Sequence, residues 1–184
     1  MTYEIDVAGL KRELPLCRLT DELYIGAFVI FGDVELTVHC AAELLKRAPE
    51  YDYIIAPEAK AIPLLYEMAR QSGAEKYFVA RKKAKAYMTG IHQVNVNSIT
   101  TKGTQTLILD SEDAKLIEGK RLLIVDDVIS TGESIHAVEE LVKSCGGTVV
   151  GRMAPLAEGD AANRDDIIYL APLPLFNADG TPKA

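Results

Sequence analysis

Two adjacent carboxylates end an apolar run in the stretch "RLLIVDDVISTGESIHAVEELV", Arg121 to Val142. Leu122 to Val125 is continuously apolar, as a strand buried on both faces must be, which puts Asp126 and Asp127 at its carboxyl edge. Two acids there cost stability unless something polar engages them. Sugar hydroxyls or a hydrated divalent cation fit that need. Ser130, Thr131, Gly132, Glu133 and Ser134 follow, with hydroxyls, a tight turn that glycine permits, and backbone N–H groups opening a helix near Glu133. That is the geometry of a phosphate site.

Two more stretches carry chemistry. Glu58, Ala59 and Lys60 lie in "APEAKAIP", again between a strand and a helix. Taken alone, a helix starting near a lysine is commonplace. "KYFVARKKAK" concentrates Lys76, Arg81, Lys82, Lys83 and Lys85 inside a chain of formal net charge −7. A broad nucleic-acid surface needs clustered positive charge over a larger area, so this local patch suits a small polyanion better than DNA.

The elements that must position these residues follow from periodicity. An amphipathic start leads to "LYIGAFVIF", read as a strand, then to the helix "DVELTVHCAAELLKRA" with Asp33 as its cap. "YDYIIAP" reads as a buried strand and "KAIPLLYEMARQSG" as a helix closed by Gly73. "KYFVA" is the next strand. "IHQVNVNSITT" and "TQTLILD" flank Lys102 and Gly103 as a long hairpin with a tight turn. "SEDAKLIEG" predicts a short helix, with Glu112 and Asp113 placed where a helix start favours negative charge. The strand and helix of Arg121 to Val142 come next, and then two strand-like runs, "TVVGRMAPL" and "DIIYLAPLPLF". Alternating strands and helices predict an α/β fold, a central mostly parallel sheet flanked by helices, with ligands beyond the carboxyl ends of the strands.

The 184 residues suit one domain over 1–184, and 48% hydrophobic with 26% charged residues suits a globular protein. No apolar run reaches the roughly 18 residues of a membrane span, and the N-terminus lacks the pattern of a signal peptide, so a cytoplasmic protein is expected. Cys17, Cys40 and Cys145 are odd in number and widely spaced, which predicts small core residues rather than disulfides or a zinc site. His39, His92 and His136 have no metal-ligand spacing and are read as structural or exposed. Glu139 and Glu140 are read as a solvated helix face. The G-x-x-x-x-G-K-S/T and G-x-G-x-x-G loops are absent, which disfavours nucleotide triphosphate hydrolysis and dinucleotide binding.

"LLIVDDVISTGES" resembles the phosphoribosyl-pyrophosphate signature of the type I phosphoribosyltransferases. The resemblance covers roughly residues 50 to 155 by motif and order. It implies that Asp126 and Asp127 hold the ribose 2- and 3-hydroxyls and that Ser130 to Ser134 cradle the 5-phosphate. "APEAKAIP" is similar to the Glu-Ala-Arg-Gly pyrophosphate loop of adenine phosphoribosyltransferases, with Lys60 in place of Arg, and family members often hold a strained peptide there. Glu58, Ala59 and Lys60 would then wrap the leaving pyrophosphate. "ARKKAKAYMTG" resembles the mobile catalytic loop of orotate and adenine phosphoribosyltransferases, with Arg81, Lys82 and Lys85 on its pattern.

The family implies a hairpin flap, a core over about 33–155, and a small hood from about 1–30 and 156–176 that selects the base. Tyr24, Phe28, Tyr169 and Phe176 are candidates there for stacking on a base, although residues of these types more often pack in a core. Ser130 stands where the hypoxanthine–guanine enzymes carry an acidic residue, which counts against that subgroup. Glu133 replaces a glycine of the adenine subgroup. The resemblance also implies magnesium held mainly by substrate oxygens, with no direct protein ligand, phosphoribosyl pyrophosphate and a nucleobase as partners, and a homodimer. A purine acceptor, adenine first, is the leading expectation. The alternatives are a pyrimidine acceptor and a regulator that senses phosphoribosyl pyrophosphate without turnover; such repressors usually carry a DNA-binding domain and positive surface, for which this chain shows neither clear room nor charge.

Overall fold

The computed structural model describes residues 1–97 and 104–183, so the tight turn predicted at Lys102 and Gly103 lies outside the described residues. In chain order the elements are β1 (Thr2–Val7), β2 (Leu10–Arg18), β3 (Tyr24–Gly26), α1 (Val34–Leu45), β4 (Tyr53–Pro57), α2 (Ile62–Ser72), β5 (Phe78–Ala80), β6 (Ile91–Asn97) and β7 (Thr104–Asp110). They continue with α3 (Ser111–Ile117), β8 (Arg121–Val125), β9 (Val128–Ile129), α4 (Glu133–Ser144), β10 (Thr148–Glu158), a 3-10 turn (Gly159–Asn163), β11 (Ile168–Leu173) and β12 (Leu175–Phe176).

The main sheet is parallel, in the order β11-β10-β8-β4-β5, with β9 beside β10. This is the doubly wound order in which the chain departs from the central pair in opposite directions, β4 towards β5 and β8 towards β10. The gap between the carboxyl ends of β4 and β8 is therefore the switch point where such sheets bind ligands. Continuous apolarity in β8 is explained by the two cores. Leu123 and Val125 pack with α1 and α2, whereas Leu122 and Ile124 pack with α4 and β7. All four are fully buried.

Helix boundaries follow the expected chemistry. Asp33 caps α1, its carboxylate accepting from the Leu36 N–H at 3.0 Å, and Gly73 ends α2 in the left-handed conformation at φ 72°. The short helix α3 carries Glu112 and Asp113 in its first turn, as predicted, and Asp110 at the end of β7 caps it. β6 and β7 form the expected antiparallel hairpin, with Ile91 opposite Asp110.

A second, antiparallel sheet, β1-β2-β3-β12, covers the α1 side. Ile5, Val7, Leu14 and Phe176 point into the shared core, and Arg12 ties this sheet to α1 through Asp33 at 2.6 Å and Glu35 at 2.8 Å.

Four expectations need correction. "LYIGAFVIF" is a strand only over Tyr24–Gly26, because the chain turns there: the Ala27 N–H reaches back to the Pro15 carbonyl and the Phe28 N–H to that of Gly26. "DIIYLAPLPLF" is not one run but two strands. Ile168–Leu173 joins the main sheet, and past Pro174 the pair Leu175–Phe176 crosses to β3. Cys17 is exposed because alternation along β2 turns it away from the face that buries Leu14, while Cys40 and Cys145 are buried. Glu139 is not solvated: it is largely buried between Arg152 at 2.6 Å and Lys143 at 3.0 Å, which hold its carboxyl below the usual range against the opposing effect of burial.

Candidate active site at the strand switch

All three sequence-predicted stretches emerge at carboxyl ends of neighbouring strands, since β4, β5 and β8 are parallel. Directly after β8, Asp126 and Asp127 are both buried, at 8% and 3% exposure. The Asp126 backbone N–H donates to the Met153 carbonyl at 2.9 Å, and the Asp127 N–H donates to the Asp126 carboxylate at 2.9 Å. The strand end thus turns inward. Burial first, and the neighbouring Asp127 charge second, push the Asp126 carboxyl up to about 8.

Lys60, from the loop after β4, places its Nζ 2.6 Å from Asp127 Oδ2. The contact is an ion pair by distance, yet Oδ2 has no hydrogen-bond partner, because the ammonium does not approach along a hydrogen-bonding direction. The Lys60 charge offsets the cost of burying this carboxylate, and its Oδ2 retains accepting capacity. A sugar hydroxyl or a water of a hydrated cation would satisfy it. Among the described residues no group of three or more His, Cys, Asp or Glu could hold a metal by itself.

The Glu58–Ala59 peptide is cis. Glu58 anchors this loop to the basic segment: it accepts from the Lys82 N–H at 3.0 Å and pairs with the Arg81 guanidinium at 3.1 Å. The Lys82 backbone hydrogen bond first, and the charges of Arg81, Lys85 and Lys82 after it, keep the Glu58 carboxyl below its ordinary value. Arg81 is fixed at both ends. Its backbone bridges to Ile108 of β7 in both directions, at 2.9 and 2.8 Å, and its guanidinium also meets the Tyr87 hydroxyl at 3.0 Å. Lys82 and Lys85 project into solvent. Of the three basic residues predicted to act together, Arg81 therefore serves as the root of the segment and the two lysines as its exposed charge.

The loop between β9 and α4 encloses a small cavity of about 90 Å³, lined by Asp126 and residues 128–135. Gly132 is the N-cap of α4 at φ 82°, a conformation that side chains resist, and its carbonyl accepts the His136 N–H at 2.9 Å. The N-cap Gly132 has no side chain to cap α4, and the positive end of the helix dipole faces this loop. The Thr131 hydroxyl accepts weakly from the Glu133 N–H at 3.4 Å. Ser130 and Thr131 are exposed, while Glu133 and Ser134 are half-buried. A larger open groove of about 490 Å³, beside His92 and Ser144, is lined by none of these residues.

Sequence reasoning missed Tyr87, Arg164 and Asp166. Arg164 lies over Gly132, so that a Cβ on that glycine would run into its Nη1. No local pattern in "NRDD" marks it, because the contact depends on how the turn after β10 packs against the loop after β9. The aromatic candidates are core residues. Phe176 is fully buried and edge-to-face with Tyr3, Phe28 is buried, Tyr24 packs against the core, and the Tyr169 hydroxyl donates to the Ala162 carbonyl.

The model of the phosphoribosyl transferase domain family matches residues 37–171. An adenine phosphoribosyltransferase of Kosmotoga olearia is 37% identical over 126 residues, 65% of this chain and 66% of the relative. An orotate phosphoribosyltransferase of Caldanaerobacter subterraneus subsp. tengcongensis is 33% identical over 132 residues, 71% of this chain and 58% of the relative. The chain thus spans under two thirds of the length of these curated relatives. Among solved structures, adenine phosphoribosyltransferase from Thermoanaerobacter pseudethanolicus superposes with a TM-score of 0.64 at 26% identity, covering 78% of this chain and 84% of that one. The match spans β4 to β11 and includes both loops of the switch point, and by it the chain belongs to the phosphoribosyl transferase domain family.

Proposed function

We propose that this protein transfers 5-phosphoribose from phosphoribosyl pyrophosphate to a ring nitrogen of a purine, adenine in the first place, and releases pyrophosphate. The observation that carries this reading is the meeting of Lys60 with Asp127 across the switch point, 2.6 Å apart. It joins a loop suited to pyrophosphate to a carboxyl pair suited to a ribose diol, with the phosphate-sized cavity beside them. One ligand needs all three. The adenine preference is supported by the adenine phosphoribosyltransferase relatives and by the Glu58-Ala59-Lys60 loop.

In this reading Asp126 and Asp127 accept from the ribose hydroxyls and the amides and hydroxyls of Ser130 to Ser134 bind the 5-phosphate. Glu58 and Ala59 shape the pyrophosphate loop. The bond from C1 to the pyrophosphate oxygen breaks as the base nitrogen bonds to C1, and the base gives up its proton. Lys60, Arg81, Lys82 and Lys85 stabilise the charge that gathers on the departing pyrophosphate. Catalysis is positional and electrostatic, with no covalent enzyme intermediate. Magnesium would supply further charge on the pyrophosphate, and the open Oδ2 of Asp127 fits one of its waters or a ribose hydroxyl. A closing Lys82–Lys85 segment would exclude water from the reactive sugar. A homodimer that shares this segment and a cytoplasmic setting complete the proposal.

A pyrimidine acceptor is the second reading, favoured by the orotate phosphoribosyltransferase relative. Pyrophosphate release from magnesium phosphoribosyl pyrophosphate, with adenine, hypoxanthine, guanine, xanthine, orotate and uracil supplied one at a time, separates the readings. Release with adenine alone is expected. Release with orotate or uracil alone moves the acceptor to a pyrimidine, and no release with retained sugar-phosphate binding moves the reading to a sensor or to an acceptor outside these six.

A further inference from the structure

Gly132 carries two constraints at once. Its φ of 82° shapes the loop between β9 and α4, and the space where a side chain would stand is taken by the Arg164 guanidinium, its Nη1 foremost, with Cζ at 3.6 Å and Nη2 at 3.9 Å from the Cβ position. Arg164 is not there by chance of a loose surface side chain. It follows the 3-10 turn Gly159–Asn163, its backbone N–H returns to the Ala161 carbonyl at 3.1 Å, and Asp166 grips its Nε and Nη2 in a two-pronged pair at 2.8 Å each. The fork fixes the plane of the guanidinium and turns the remaining nitrogen onto the loop.

We propose that Arg164, held by Asp166, is a positioning residue for the phosphate loop, and that the pair sets affinity for the 5-phosphate end of the substrate without acting on the pyrophosphate end. The proposal rests on the phosphoribosyl-transfer reading of the site. Arg164 does not line the cavity of residues 128–135, so it acts through Gly132: it packs on the glycine in its left-handed conformation and holds the loop in place, its own charge being paired with Asp166. Lys60, which meets Asp127, and the exposed Lys82 and Lys85 belong to the loops after β4 and β5, across β8 from β10 in the sheet order. The two ends of the ligand thus answer to separate cations. An arginine suits this place where a lysine would not, because only a planar fork can bind Asp166 with two nitrogens and still present a third.

The test is Arg164→Gln, with Arg164→Lys and Asp166→Asn as companions, measured by calorimetric binding of ribose 5-phosphate and of pyrophosphate separately and by steady-state turnover. Arg164→Gln is expected to weaken ribose 5-phosphate about tenfold and raise KM for phosphoribosyl pyrophosphate similarly, through a loosened loop at Gly132. Pyrophosphate binding and kcat should stay within about twofold, since neither depends on Gly132. Arg164→Lys should recover part of the loss through charge alone, and Asp166→Asn, which keeps the size but loosens the fork, should lose about threefold in the same direction. Unchanged ribose 5-phosphate binding in Arg164→Gln, or equal weakening of both ligands, overturns the proposal while leaving the phosphoribosyl-transfer reading in place. If Arg164→Gln does not fold, Asp166→Asn decides by the same two ligands. A wild-type protein that binds neither ribose 5-phosphate nor phosphoribosyl pyrophosphate overturns both.

Discussion

Raising the pH from 6 to 9 should tighten binding of magnesium phosphoribosyl pyrophosphate by nearly two orders of magnitude, and Asp126→Asn should remove most of that dependence. The reason lies in the buried pair at the end of β8. Asp126 sits at about 8 because burial and the Asp127 charge disfavour its ionised form, while the diol of a ribose needs an acceptor. Only the ionised fraction is competent, about 1% at pH 6, about 10% at pH 7 and about 90% at pH 9, and apparent affinity scales with that fraction. Binding at pH 7 therefore releases about one proton. Calorimetry in two buffers of different ionisation heat measures that proton directly. The ligand's own phosphates titrate near pH 6 and contribute in both proteins, so the difference between wild type and Asp126→Asn isolates the carboxyl. Affinity that is flat between pH 7 and 9, or equal proton release by the two proteins, refutes the argument. Stability must move the opposite way. A folded-state value above the unfolded 3.8 means the native protein holds its proton longer, so the contribution of Asp126 is fully present at low pH. It is lost as pH rises from about 4 towards 8, and the melting temperature of ligand-free wild type should fall relative to Asp126→Asn across that window.

Other consequences are simpler to read. Asp127→Asn should weaken ribose 5-phosphate binding and turnover together, whereas Lys85→Ala, exposed and remote from the core, should mainly slow turnover; both should melt cooperatively, and normal rates in both would remove the assigned roles. Gly132→Ala forces a side chain into the left-handed region and against Arg164, so a loss of about 1–3 kcal/mol in denaturant unfolding is expected, together with loss of ribose 5-phosphate binding. Thiol titration of the native protein should modify Cys17 first. Burial pushes Cys40 up to about 12 and raises Cys145, so both should react only on unfolding, and fast modification of three thiols would contradict the packing described.

The local sequence determined much of this protein. The apolar run Leu122–Val125, the acids that end it and the glycine that turns the following loop are dictated over about a dozen residues, because burial on two faces, carboxylate desolvation and a left-handed φ each demand particular residue types. The cap at Asp33 and the stop at Gly73 were legible for the same reason. What no local stretch contains is adjacency. That β4 lies beside β8, and so brings Lys60 to Asp127, follows from the order in which the strands assemble. Arg81 reads as one of the three basic residues on the pattern of its loop, yet pairing with Ile108 and Glu58 makes it the fixed root of its segment. Glu139 reads as a surface charge until Arg152 of β10 covers it, and Arg164 acquires a role only when the turn after β10 lands on Gly132. Residue type and spacing set which groups can do chemistry; the long-range packing of parallel strands, whose partners are dozens of residues apart, decided which of them share a site.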